Sequence, residues 1–246
     1  MVKFTPELKQ SFLDMLDNHK TENDIQRFLE EHTEMIPLPF IEYHGLTGNS
    51  IISKFRLGNE LVTDFAYLSG CSDYWNFVLV EIEDSRKKLF TENRKQVHFT
   101  AEFNNAYDQI TSWKAYVDSN RERVLHQIEK LRCEEPNRPV RFKYVLIIGR
   151  RADKEHSEYR AKMFTQKNTD DTRVLTYDSI ITYCENRGTL HQKFILSPEG
   201  DQRFKIKSVP EDAITLPFGW GSSEYIIIEQ SQIDQLKQHE HDIEEF

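Results

Sequence analysis

Cysteine is scarce in this 246-residue chain, with three residues in all. Cys71, Cys133 and Cys184 are scattered and form no C-x-x-C pair. Neither a zinc site nor a disulfide framework is therefore expected, and a reducing cytoplasm is the natural compartment. Long apolar runs are missing too: nothing approaches the roughly 20 residues needed to span a bilayer. The opening MVKFTPELKQ is polar and has no apolar stretch of the kind a secretory leader carries. The expectation is a cytoplasmic protein with no membrane partner. There is no internal repeat and no low-complexity tract. Gly45-Leu46-Thr47-Gly48-Asn49-Ser50 lacks the lysine of a phosphate-binding P-loop. Phe218-Gly219-Trp220-Gly221-Ser222-Ser223 lacks the G-x-S-x-G spacing of a nucleophile elbow. His239 and His241 flank Glu240 near the polar end of the chain and read as a solvated tail.

Positive charge is also in deficit. Lysine and arginine total 32 against 41 aspartates and glutamates, a net charge of -9. That balance opposes a nucleic-acid partner, because phosphate binding gains most of its affinity from Lys and Arg. Local fields matter more than totals, however. Basic residues cluster at Arg86-Lys87-Lys88, at Arg94-Lys95, at Arg138, Arg141 and Lys143, and at Arg150-Arg151. Each cluster has two readings, a solvated surface run or a phosphate contact.

What is present is a globular composition, 38% hydrophobic and 30% charged. The length fits one large domain, or one domain with an appendage. Thr5-Pro6-Glu7 predicts a helix start running to about Asn18. Thr21 with Asp24 predicts a second, capped helix that ends near His32. Two strands are expected at Ile51–Leu57 and Glu60–Leu68, joined by a tight turn at Gly58-Asn59. Trp75–Ile82 is nearly continuous apolar sequence, as in a strand covered on both faces. From Thr100 the period turns helical, with Phe103, Ala106, Ile110, Trp113 and Val117 on one stripe. Trp113 reads as core. A further helix over Asn120–Arg132 and a break at Pro136–Pro139 follow. A strand is expected over Phe142–Ile148, a helix near Ser157–Gln166 and a strand at Arg173–Tyr177. Asp178 is the expected cap of a helix running through Cys184. This order predicts an α/β sandwich around a mixed sheet. Residues 190–246 read as an extension of short strands and an acidic tail, either separate from residues 1–189 or packed on them.

The chemistry-bearing feature is a set of acids beside the apolar strands. Asp64 falls within one predicted strand, and Glu81 near the end of the next. Glu81 and Glu83 share a strand face because side chains alternate. Carboxylates at the end of a core strand are costly unless hydrated, paired or bound to a cation. Mg²⁺ suits the pattern, since it takes one or two carboxylates and keeps waters for a phosphate. Acids that merely cap a strand at a wet edge are the other reading of the same residues.

Several segments carry a resemblance. Phe55-Arg56-Leu57-Gly58, Val62-Thr63-Asp64-Phe65, Val78-Leu79-Val80-Glu81-Ile82-Glu83, Lys88-Leu89-Phe90-Thr91 and Ala106-Tyr107-Asp108-Gln109-Ile110-Thr111-Ser112-Trp113 look like the nuclease domain of Shedu anti-phage defence proteins. Glu22–Glu30 resembles that family's opening helix, and Val174–Asp178 its closing strand. The resemblance covers about residues 20 to 185, and it lies in the order and spacing of the segments. The family is similar to PD-(D/E)XK nucleases, so the resemblance implies that fold and Mg²⁺-dependent hydrolysis of double-stranded DNA, with Mn²⁺ as a substitute. It also implies a homo-oligomer. Asp64 and Glu81 would be metal ligands, joined by the main-chain carbonyl of Ile82. Glu83 stands where the usual motif has lysine. This departure leaves the general base open, with Lys87 or Lys88 as sources of positive charge from a shifted position. Glu22 would be an acid near the metal, or else a first-turn carboxylate favoured by the helix dipole. Gln109 would contact the site or the DNA, or be a satisfied boundary amide. Arg86, Arg94 and Lys95 are the candidate DNA contacts. The alternative to an enzyme is a catalytically weak DNA-binding or end-binding module of the same fold. A protein-interaction scaffold is a third reading.

Overall fold

The computed structural model describes the chain apart from residues 1, 19–20, 93–95, 133–136, 188, 214, 218–219, 221–223 and 245–246; beyond residue 237 it describes backbone only. Helices α1 (Pro6–Asp17) and α2 (Glu22–Glu31) come first. Both obey their caps. Thr5 accepts from the Leu8 amide, and Thr21 and Asp24 form a reciprocal capping box. Strands β1 (Ser50–Ser53), β2 (Arg56–Leu57), β3 (Leu61–Val62), β4 (Phe65–Gly70) and β5 (Trp75–Ile82) follow. Next come α3 (Ala101–Ser119), α4 (Arg121–Gln127), β6 (Val140–Ile147), α5 (Arg151–Lys154), α6 (Glu158–Thr165), β7 (Thr172–Leu175) and α7 (Tyr177–Glu185). The chain closes with β8 (Phe194–Pro198), β9 (Phe204–Ser208), β10 (Ile226–Ile227) and α8 (Gln230–Glu244).

One eight-stranded sheet organises these elements, in the order β10-β9-β8-β1-β4-β5-β6-β7. It is mixed: β4 lies antiparallel to β1 and β5, whereas β5, β6 and β7 run parallel. Strands β8 to β10 continue this sheet, with β8 parallel to β1. Every residue of β5 is buried, as its unbroken apolar run predicts for a central strand with both faces covered. Alternation splits its side chains. Phe77 and Leu79 pack in the layer that holds Phe103, Ile110 and Trp113 of α3. Val78, Val80 and Ile82 pack with Phe12, Ile25 and Leu29 of α1 and α2. The predicted apolar stripe of α3 is the stripe that is buried.

Three expectations need correction. The strand expected over Ile51–Leu57 is interrupted at Lys54 and Phe55, where Lys54 takes a left-handed φ of 54°. The strand expected over Glu60–Leu68 is likewise interrupted, so Asp64 sits at a bend between β3 and β4 and not inside a strand. The two breaks face each other: the Lys54 amide donates to the Asp64 carbonyl at 3.0 Å, and the Thr63 amide to the Phe55 carbonyl at 2.9 Å. Finally, Asp178 does not cap α7. Thr176 is the N-cap, and the Asp178 carboxylate lies in the first turn, where it accepts from the Arg151 amide and the Arg150 guanidinium.

Gly149 closes β6 with a φ of 64°, and its carbonyl accepts from the Tyr177 amide at 3.1 Å. A Cβ there would come within 2.7 Å of the Lys87 carbonyl oxygen and 2.9 Å of Leu89 Cδ2. Gly149→Ala therefore combines an unfavourable φ with a clash against backbone. We expect it to cost about 1–3 kcal/mol, measured as a lower urea midpoint with unchanged m-value.

Candidate active site

The acids meet at the C-terminal end of β5. Phe65 of β4 pairs with Val80 of β5, and the Asp64 amide donates to the Val80 carbonyl at 3.1 Å. Asp64 therefore lies alongside the end of β5, where it is 4% exposed. Its Oδ2 accepts from the Ile82 amide at 2.8 Å, and its Oδ1 from Lys54 Nζ at 2.7 Å. The bend at Asp64 is thus held by main-chain bonds on both sides, and the carboxylate is fixed by a buried amide.

Glu81 is on the face of β5 that looks toward α3. Its Oε1 accepts from Gln109 Nε2, while its Oε2 is buried with no hydrogen-bond partner. Burial, followed by the charges of Asp64, Glu83 and Glu22, pushes the Glu81 carboxyl up to about 10. Glu83 lies one residue past β5. Its amide donates to the Ile147 carbonyl at 2.8 Å, and its Oε2 is paired with Lys87 Nζ. Its own carbonyl accepts from the buried Tyr177 hydroxyl at 2.6 Å. Glu22 opens α2 and reaches the same acids from the opposite layer. Its carboxyl is raised by burial and then by Asp64 and Glu83, with Lys87 and Lys54 acting the other way.

The sequence-derived residues divide as follows. Asp64, Glu81, Glu83, Glu22, Lys87 and Gln109 are brought to one locus. The Ile82 side chain is buried in the layer with α1 and α2, and its amide fixes Asp64. Lys88 is directed elsewhere, lining a separate cavity with Phe90, Asp153, His156 and Arg160. Arg86 forks onto both oxygens of Asp84 at the surface. Arg94 and Lys95 fall outside the described residues. Sequence reasoning missed Lys54, because an isolated lysine in a predicted strand reads as a solvent-facing residue. It also missed Tyr177, which it read as the end of a strand; its role under Glu83 depends on packing between α7 and β5.

Among the described residues, no group of three or more His, Cys, Asp or Glu side chains forms a ready-made metal cage. Mg²⁺ does not need one, since it is bound through one or two carboxylates with retained waters. The unpartnered Glu81 Oε2 beside Asp64 fits that requirement. A buried carboxylate oxygen lacking any donor is an expensive arrangement unless a proton or a cation satisfies it.

A mixed sheet flanked by helices, with carboxylates gathered where two of its central strands end, defines an α/β protein with a desolvated acidic centre. The chain belongs to the family of the Shedu protein SduA, C-terminal, whose profile matches residues 19–181. That span includes Glu22, Lys54, Asp64, Glu81, Glu83, Lys87, Gln109 and Tyr177. No curated protein matches the chain significantly. None of the described helices is long and apolar enough to cross a membrane.

Proposed function

We propose that this protein is a metal-dependent nuclease that hydrolyses phosphodiester bonds of double-stranded DNA in anti-phage defence, on a PD-(D/E)XK core. The observation that carries the reading is the buried, partnerless Glu81 Oε2 next to Asp64. Glu22 and Glu83 raise the negative potential of the same locus. A cleft of one sign with low-dielectric walls concentrates counter-ions. Asp64 and Glu81 would hold Mg²⁺, or Mn²⁺ in its place, with the Ile82 carbonyl as a further ligand. Bound there, the ion would supply Lewis-acid stabilisation of phosphoryl charge.

The chain's own residues do the rest. The Ile82 amide fixes the Asp64 carboxylate, and Gln109 fixes one oxygen of Glu81. Glu83, paired with Lys87, would accept a hydrogen bond from the attacking water and orient it in line with the phosphorus. The bond from water oxygen to phosphorus would form as the bond to the leaving nucleoside oxygen breaks; the water proton would pass to Glu83 or to solvent, and the leaving oxygen would take a proton from solvent. Lys88 and Arg86, with Arg94 and Lys95, would contact the DNA backbone beyond the centre. In this reading the protein works in the cytoplasm as a homo-oligomer, so that paired centres act on both strands.

The test is cleavage of linear and circular duplex DNA by the purified chain. Products are expected with Mg²⁺ or Mn²⁺ and none with EDTA. DNA binding without cleavage under any metal would favour the inactive binding module that the Glu83 departure also allows. Neither binding nor cleavage at modest salt would end the nucleic-acid reading.

A further inference from the structure

We infer that Lys54 is the residue whose ammonium meets the scissile phosphate, in place of the lysine that Glu83 displaces from the motif. The inference rests on the nuclease reading and deepens it.

Three lysines lie near enough in sequence or space to be considered. Lys87 Nζ is committed to Glu83, so its charge is neutralised within the loop that carries both residues. Lys88 lines another cavity. Lys54 differs from both. Its Nζ is 2.7 Å from Asp64 Oδ1, yet its side chain is 47% exposed. An ammonium has three donors, and Asp64 is its one hydrogen-bonded partner among the described residues. The head group therefore touches the acidic centre on one side and solvent on the other, which is where a DNA phosphate would arrive.

The backbone explains how a lysine reaches this place. Ile52 and Phe55 both pack in the layer beside α3. Residues three apart in an unbroken strand point to opposite faces, so the chain turns over between β1 and β2. The turn falls at Lys54, whose φ is 54°, and it faces the bend at Asp64. Ser53 lies opposite Phe65 before the break and Arg56 opposite Val62 after it, so both strands kink together with no residue inserted in either. A left-handed conformation at a non-glycine residue persists only where the surrounding structure imposes it, and such residues gather at functional sites. Here the Lys54 amide is tied to the Asp64 carbonyl, so the strained residue and the first acid are held side by side. In the absence of DNA the ammonium rests on Asp64. With DNA in place, it moves to a non-bridging phosphate oxygen and stabilises the charge that builds there during in-line attack. No proton is transferred by Lys54 in this role.

The experiment compares wild type with Lys54→Met, Lys54→Arg, Lys54→Asn, Lys87→Met and Asp64→Asn. Single-turnover cleavage of a linear duplex is one readout. The other is equilibrium binding of the same duplex in EDTA and in Ca²⁺, followed by fluorescence anisotropy over a range of salt. Lys54→Met should slow cleavage by about 10²-fold or more and make the plot of log Kd against log salt shallower by about one phosphate contact. Lys54→Arg should restore the slope. Lys87→Met should leave the slope unchanged. Lys54→Asn, which tolerates the left-handed conformation, should melt no lower than Lys54→Met and still lose the phosphate contact, which separates charge from fold. Wild-type rate and slope in Lys54→Met, with Asp64→Asn inactive, would overturn the Lys54 assignment and spare the nuclease reading. A wild type that neither cuts nor binds DNA would remove both.

Discussion

Asp64→Asn is expected to slow DNA cleavage by about 10³-fold, the equivalent of about 4 kcal/mol of transition-state stabilisation, with little change in fold. The two halves of that expectation have separate origins. The Asp64 side chain accepts from the buried Ile82 amide, and the asparagine carbonyl can do the same, so no buried donor is orphaned. Alanine would leave that amide unsatisfied, at about 1–3 kcal/mol, and would confuse lost activity with lost stability. What asparagine cannot supply is the negative charge that Mg²⁺ requires. Cleavage in Mg²⁺ and in Mn²⁺, with thermal melting of the same preparations, checks both halves. Retained cleavage in a well-folded variant would mean that the acidic centre is not where the chemistry occurs.

Glu81→Gln is expected to stabilise the metal-free protein, by about 3 kcal/mol at pH 7, while abolishing cleavage. Glu81 has its carboxyl pushed from the ordinary 4.5 up to about 10, chiefly by burial and then by Asp64, Glu83 and Glu22. Between those values the folded protein keeps a proton that the unfolded chain has released. Stability conferred by wild-type Glu81 is therefore complete at low pH and falls as pH rises through that window. Glutamine keeps the oxygen that accepts from Gln109 and carries no charge to desolvate. The advantage of the variant should vanish below about pH 4.5, grow through neutrality, and shrink again when saturating Mg²⁺ stabilises the wild type. Urea unfolding at pH 5, 7 and 8.5, in EDTA and in Mg²⁺, follows all three trends. A wild type as stable as the variant at pH 8.5 in EDTA would show that Glu81 is neither desolvated nor crowded by like charge.

The two variants lose activity alike, yet one leaves stability nearly unchanged and the other raises it. That pattern fits a centre whose acids are kept together at a cost to the metal-free fold. The left-handed backbone at Lys54 and the orphaned Glu81 oxygen are two sources of that cost, one in backbone conformation and one in hydration.

Much of this protein follows from its sequence alone. Local rules were enough for the caps at Thr5 and Thr21, the buried run Trp75–Ile82, and the stripe from Phe103 to Val117 on α3. Each depends on residues within a few positions of one another, so periodicity and capping chemistry determine them. The motif order also made the acids at positions 64, 81 and 83 visible, together with Gln109. The tertiary structure decided the rest. Where the short apolar runs after residue 190 pair was not readable from the sequence; pairing of β8 with β1 joins β8, β9 and β10 to the central sheet. Lys87 and Lys88 are neighbours with the same side chain, yet one pairs with Glu83 and the other lines a different cavity. Lys54 was hidden because its left-handed backbone breaks the alternation of faces, and strand alternation presumes an unbroken strand. The state of Glu81 was hidden for a related reason. A carboxyl's proton affinity depends on burial and on charges that lie close in space but far apart along the chain.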